Sequence, residues 1–184
     1  HVLAPDGEHQ GSYAEATFWT DDLLPIWAQS IANARVSAVD GGTGWLVVQS
    51  QPFVMRRFDL EGNEVARTSE GAGNFVPDIS LPEVDGDTTT MRFTGGAGKP
   101  LVTSSGLVLV HTWRTHPDDL ELDDPDAPRR TQEKLFVYDE DLALRGSVDP
   151  PGWLYAVDAR DRVWCVPDGL DVPHLVRYRV VATD

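Results

Sequence analysis

Apolar positions in this chain come in short runs separated by turns rich in glycine, aspartate and proline. The clearest unit is SAVD (37–40), a glycine-rich turn and WLVV (45–48). A second copy reads YAVD (155–158), a polar ARDR turn and VWCV (163–166). A third reads LVT (101–103), a Ser-Ser-Gly turn and LVLV (107–110). Each is two short strands of β-branched and aromatic residues around a turn, which is the pattern of a hairpin. A second kind of unit follows each of them. MRRFDLEGNEV (55–65) reads as strand, glycine turn, strand, and LFVYDEDLAL (135–144) repeats it with a one-residue shortening. LVRYRV (175–180) repeats its first half, and VLAPDGE (2–8) is a strand ending in a tight turn. Phe58, Tyr138 and Tyr178 take one equivalent position, 80 and 40 residues apart.

Together these make a repeated unit of four short antiparallel strands. The predicted strands lie near 36–40, 45–50, 53–60 and 63–68, then 101–103, 107–113 and 134–139, then 154–158, 162–166 and 174–180, paired in sequence order. Phe58, Tyr138, Val47, Val108, Leu109 and Val163 are expected to be buried, with Trp45 and Trp164 in the core between units. A lone four-stranded unit cannot cover both its faces, so copies must stack. The 40-residue spacing is that of a propeller blade.

The run AVDGGTGWLVVQSQPFVMRRFDLEGNEV resembles a blade of the six-bladed β-propellers of the NHL-repeat and related families. The resemblance covers 36–68 well, 151–180 fairly and 100–148 loosely, whereas 69–98 fits poorly. It implies an all-β, β-propeller-like fold of repeated four-stranded antiparallel blades; the alternative is a β-sandwich with several similar hairpins. The expected division of 1–184 is a blade end at 1–13, a blade at 36–68, an insertion at 69–98, a blade at 100–149 and a blade at 151–184. Strand counting makes this an incomplete ring, completed by further blades or another chain. A chain that opens inside a strand reads as cut from something longer, and a fragment is favoured over a processed secreted protein.

Two segments depart from the repeat. Residues 20–34 (TDDLLPIWAQSIANA) suggest a short helix capped by Thr20, which Pro25 opposes at up to ~3 kcal/mol. Residues 114–133 read as an exposed loop, with six acids between Pro117 and Pro128. That loop lacks the Asp-x-Asp-x-Asp-Gly spacing of a calcium loop.

Charge narrows the functions. Thirty acids against 15 bases give a net charge of −15. Nucleic acid and anionic lipid both need positive surface, so neither is an expected partner. No apolar run reaches the ~20 residues of a membrane span. The favoured setting is periplasmic or extracellular. One cysteine, Cys165, cannot make an internal disulfide or a thiolate metal site, and its apolar neighbours place it in the core.

Motifs that carry chemistry are few. HExxH and Gly-x-Ser-x-Gly are absent. TGGAGKP (94–100) resembles a phosphate loop but puts proline where Ser or Thr should follow the lysine. Four residues stand out as weak site candidates. Asp40 and Asp158 end two inner strands, where a propeller opens on its channel, although an aspartate there more often caps the next turn. His111 ends a predicted strand and reads first as a hydrogen-bonded structural residue. Trp153, after Pro-Pro-Gly, is expected to be partly exposed, where an aromatic can stack on a sugar or peptide. The gluconolactonase-like propellers hold a divalent metal on the axis with Glu, Asn and Asp, and only the Asp type can be matched here. Two functions follow as expectations. The first is a non-enzymatic binding or scaffold module for a protein, peptide or small ligand, without a cofactor. The alternative is a lactonase- or lyase-like enzyme with one channel metal, calcium or zinc.

Overall fold

The computed structural model describes residues 2–3, 8–11, 34–77, 83–85, 88–90, 93–120, 127–167 and 174–179. The helix expected over 20–34 lies almost wholly outside these residues. The chain is all-β and antiparallel. A hairpin of β1 (Val2–Leu3) and β2 (His9–Gly11) comes first. The first main sheet is β3 (Ala34–Ala38), β4 (Trp45–Ser50), β5 (Phe53–Phe58) and β6 (Glu64–Thr68), hydrogen-bonded in that order. One helical turn, α1 (Ala72–Phe75), and a hairpin of β7 (Glu83–Asp85) and β8 (Thr88–Thr90) follow.

The second sheet runs β10 (Leu101–Val102), β11 (Val108–Thr115), β12 (Thr131–Tyr138) and β13 (Leu144–Val148). A preceding strand, β9 (Gly95–Ala97), pairs with β11 as well. The third sheet is β14 (Trp153–Val157), β15 (Arg162–Val166) and β16 (Val176–Arg179). Among the described residues none of these sheets closes on itself.

Pairing supports the expected strand set and its sequence order, with corrections at the joins. β11 and β12 extend to Thr115 and from Thr131, so 114–133 is not all loop. Within it Asp119 is buried and holds the Arg130 amide and guanidinium, both at 2.7 Å. The second sheet gains β9 from within 69–98, the segment read as a joining insertion. Its glycines serve packing: a Cβ on Gly95 would lie 2.7 Å from Pro77 Cδ and 2.9 Å from the Trp113 carbonyl oxygen.

Register makes the repeat concrete. Phe58 lies opposite Trp45, Tyr138 opposite Val108 and Tyr178 opposite Val163. Each aromatic therefore faces the opening residue of its sheet's second strand or its near equivalent. The turns repeat as well. In 59–63, 103–107, 139–143 and 158–162 the first amide donates to the fifth carbonyl at 2.9–3.1 Å, and the fourth amide donates back to the first carbonyl. The fourth residue has positive φ in each: Gly62, Gly106, Leu142 and Asp161. Glycine takes that conformation freely, whereas leucine takes it at a cost that burial of its side chain offsets. Phe58 pairs with Glu64 and Tyr138 with Leu144, so the second of these turns is not shortened: both span the same number of residues.

Alternation along β11 divides the core. Val108 and Val110 point to the first sheet, packing with Leu46, Val48, Met55 and Phe136. Leu109 points the other way and packs with Leu135, Leu154 and Val163. The second sheet is thus a middle layer buried on both faces where β11 and β12 carry the continuous apolar runs VLV (108–110) and LFVY (135–138). The six residues Phe58, Tyr138, Val47, Val108, Leu109 and Val163 are buried as expected, whereas Trp45 and Trp164, expected in the core, are half-buried. First strands lie side by side, β3 against β10 and β10 against β14. Ser37 on β3 donates to the Pro100 carbonyl at 2.5 Å. Across the other join, Asp161 accepts from the Ser104 amide at 2.5 Å and its hydroxyl at 3.0 Å.

Candidate functional site

Because the repeated turns fall at one end of their sheets, the join between the first two sheets opens there into a cleft of about 440 Å³. Val39 and Thr43 from the β3–β4 turn form one rim, and Ser104, Ser105 and Gly106 from the β10–β11 turn form another. Leu46, Val102 and Val108 make an aliphatic floor. Arg57 and Glu140 supply the charges in its lining. Arg57 sits on β5 on the face that carries Phe53 and Met55 into the core, so its stem continues an apolar surface while its head reaches the opening. Its Nη1 donates to the Glu140 carbonyl at 2.6 Å, which ties the first sheet to the β12–β13 turn.

The rim hydroxyls are partly engaged. Ser104 donates to Asp161, and Ser105 shares a 2.9 Å hydrogen bond with Thr103. These interactions hold the β10–β11 turn against its neighbours and leave the cleft with a shaped wall.

Of the residues singled out from sequence, the structure joins two and separates the rest. His111 is in the middle of β11, not at its end, and is buried at 3% exposure. Its Nδ1 accepts the Leu154 amide at 3.3 Å, so the ring proton sits on Nε2, which donates to Glu133 at 2.9 Å. Trp153 leans on it, ring centroids 4.5 Å apart. At 36% exposure Trp153 is partly open, as expected. This group clamps the second sheet to the third.

Asp158 follows the far end of β14 and spends both oxygens locally. Oδ1 accepts the Arg160 and Arg162 amides at 2.9 and 3.2 Å, and Oδ2 accepts Arg162 Nε at 2.6 Å. Burial opposes its ionisation, but these bonds and the Trp164 indole outweigh that and bring its carboxyl down to about 2. Asp40 opens a short 3₁₀ turn, Asp40–Gly42, one place beyond the position equivalent to Asp158. Val39 fills that equivalent position, donating its amide to the Gly44 carbonyl at 2.9 Å.

Among the described residues no group of three or more His, Cys, Asp or Glu is gathered that could hold a metal ion. Nor is any described helix long and apolar enough to cross a membrane. Cys165 is buried, and burial pushes its thiol up, away from the reactive thiolate.

Sequence reasoning missed the cleft residues. The available signal was Arg57: a base on the strand face whose other residues, Phe53 and Met55, are apolar and in the core. Glu140 carried none, as an ordinary acid in an acidic turn. No protein-family model matches the chain, and no curated protein or solved structure matches it.

Proposed function

We propose that this chain is a non-enzymatic binding or scaffold module of the β-propeller type, similar to the six-bladed NHL-like propellers, and that the cleft between its first two sheets takes the ligand. The propeller reading draws support from three consecutive meanders whose first strands are neighbours in order. The aromatic register and the turn shared by all three sheets support it further. A β-sandwich would place two sheets face to face and gives no reason for a third to follow in the same order.

One observation carries the binding role: the described cleft combines an aliphatic floor, a rigid turn wall and a guanidinium. Pockets of this size with a few convergent polar groups are the usual form of ligand sites. The enzyme alternative draws less support, because Asp158 is committed to its own turn.

Backbone-amide NMR during a screen of small molecules and short peptides tests the reading. Saturable shifts at Thr43, Ser104, Ser105 and Gly106 are expected from at least one ligand class. Shifts confined to the neighbourhood of His111 and Trp153 would move the site elsewhere. An experimental structure in which successive sheets turn about one axis would support the propeller, and a two-layer stack would defeat it.

A further inference from the structure

We infer that the cleft recognises a carboxylate carried on a short aliphatic group, with Arg57 as the carboxylate's partner. This rests on taking the cleft as the ligand site. A guanidinium carries five N–H donors in a planar fork. Nη1 of Arg57 is held by the Glu140 carbonyl at 2.6 Å, which fixes the fork's position. Among the described residues no carboxylate forms an ion pair with it. In a chain of 30 acids and 15 bases, a fixed guanidinium without such a partner, lining a concave site, is an anion anchor.

The floor defines the rest of the ligand. Leu46, Val102 and Val108 are aliphatic, and among the described residues no aromatic ring lines the cleft to stack a planar group. A branched or linear alkyl chain matches that surface. Glu140 in the same lining opposes a second negative charge, which favours a monocarboxylate over a dicarboxylate or a phosphate. Two sources present this chemistry: a free aliphatic acid and the C-terminus of a peptide ending in Val or Leu.

The test titrates the isotope-labelled chain with 4-methylpentanoate, with acetyl-Ala-Ala-Leu, and with their neutral counterparts, the primary amide of each. Both variants Arg57→Gln and Arg57→Lys are titrated alongside. Saturable shifts in the cleft are expected from at least one carboxylate. Losing the charge-assisted bonds should weaken that binding about ten- to a hundredfold, in the matching amide and in Arg57→Gln alike. Arg57→Lys, which keeps the charge but not the fork, should fall between. Binding of the acid but not the peptide identifies a free acid; the reverse identifies a chain terminus, and either supports the inference. Amides that bind the cleft as tightly as the acids overturn it while leaving the cleft a ligand site. That comparison uses the unaltered protein, so it stands if Arg57→Gln fails to fold. Shifts from every probe falling outside the cleft overturn the site itself.

Discussion

The Tyr138 hydroxyl donates to the Glu70 carbonyl at 2.8 Å, across 68 residues of sequence. The same oxygen accepts the Ala72 amide at 3.1 Å. One phenol on the second sheet thus pins the start of α1 beneath the first. Removing only that oxygen should be costly, because it strands the buried Ala72 amide and leaves the part-buried Glu70 carbonyl without this donor. We expect Tyr138→Phe to lose about 1–3 kcal/mol in urea unfolding. A loss within about 0.5 kcal/mol, as at ordinary surface sites, would show that water replaces the phenol. Burial, ahead of the nearby Glu70 charge, raises this hydroxyl to about 12 despite the Ala72 amide. The unfolded chain loses that proton first, so this contribution is intact below pH 10 and is lost as pH rises through 12. Tyr138→Phe should lack this part of the alkaline loss.

Phe58 and Tyr178 share one place in the repeat but not one environment. Phe58 is 4% exposed and stacks on Trp45 with centroids 6.0 Å apart, whereas Tyr178 is 41% exposed. Phe58→Ala should cost ~3–5 kcal/mol, the range for large aromatic truncation in a core that cannot collapse. Tyr178→Ala should cost under about 1 kcal/mol. Equal losses would mean that register alone, and not burial, sets the contribution.

Much of the fold was legible because strands and turns are local. Val, Leu and aromatic runs with short turns of Asp, Ser and Gly between them specify hairpins, and the register of Phe58 and Tyr138 followed from spacing. What the sequence concealed was non-local or conformational. Leu142 occupies a left-handed position that sequence rules assign to glycine, so the 139–143 turn looked different from 59–63 when it is the same. β9 hid in a glycine tract because its residues are chosen to let Pro77 and Trp113 approach. The site was least legible of all. His111 and Trp153 stood out individually, but only the meeting of two sheets shows that they clamp a join. Arg57 and Glu140 become a pair only when β5 is laid beside the β12–β13 turn.

His111 holds the join between the second and third sheets by accepting the Leu154 amide, while Glu133, on β12 of its own sheet, takes the Nε2 proton. His111→Ala leaves the Leu154 amide without this acceptor and opens space beneath Trp153. A destabilisation of about 2–4 kcal/mol is expected from the combined cavity and unpaired donor. Hydrogen exchange should localise it: Leu154 and its β14 neighbours should exchange faster, with β3 and β4 changed only through global unfolding. Uniform acceleration across all three sheets would show that the clamp is not local.

Asp158 offers the sharpest test of the turn-capping assignment, because it predicts a pH window. Its carboxyl sits at about 2 in the folded chain against an ordinary 3.8. Burial works against that shift, so the amides of Arg160 and Arg162, the Arg162 guanidinium and the Trp164 indole must more than offset it. A depressed carboxyl means that the unfolded chain takes up the proton first. The stabilisation is therefore present above pH 3.8 and is lost as pH falls through 2. Asp158→Asn keeps one acceptor for the turn amides but loses the charge that Arg162 pairs with. The thermal midpoint of the variant should lie below that of the unaltered chain at pH 6, and the gap should narrow steadily between pH 4 and 2. Asp119, also brought to about 2, chiefly by the Arg130 side-chain and backbone hydrogen bonds, is present in both proteins and cancels in the comparison. A gap that stays constant down to pH 2 would mean the aspartate contributes by shape and not by charge. A gap that widens on acidification would show that the folded carboxyl is not depressed at all, and would reopen Asp158 as a residue held for a ligand.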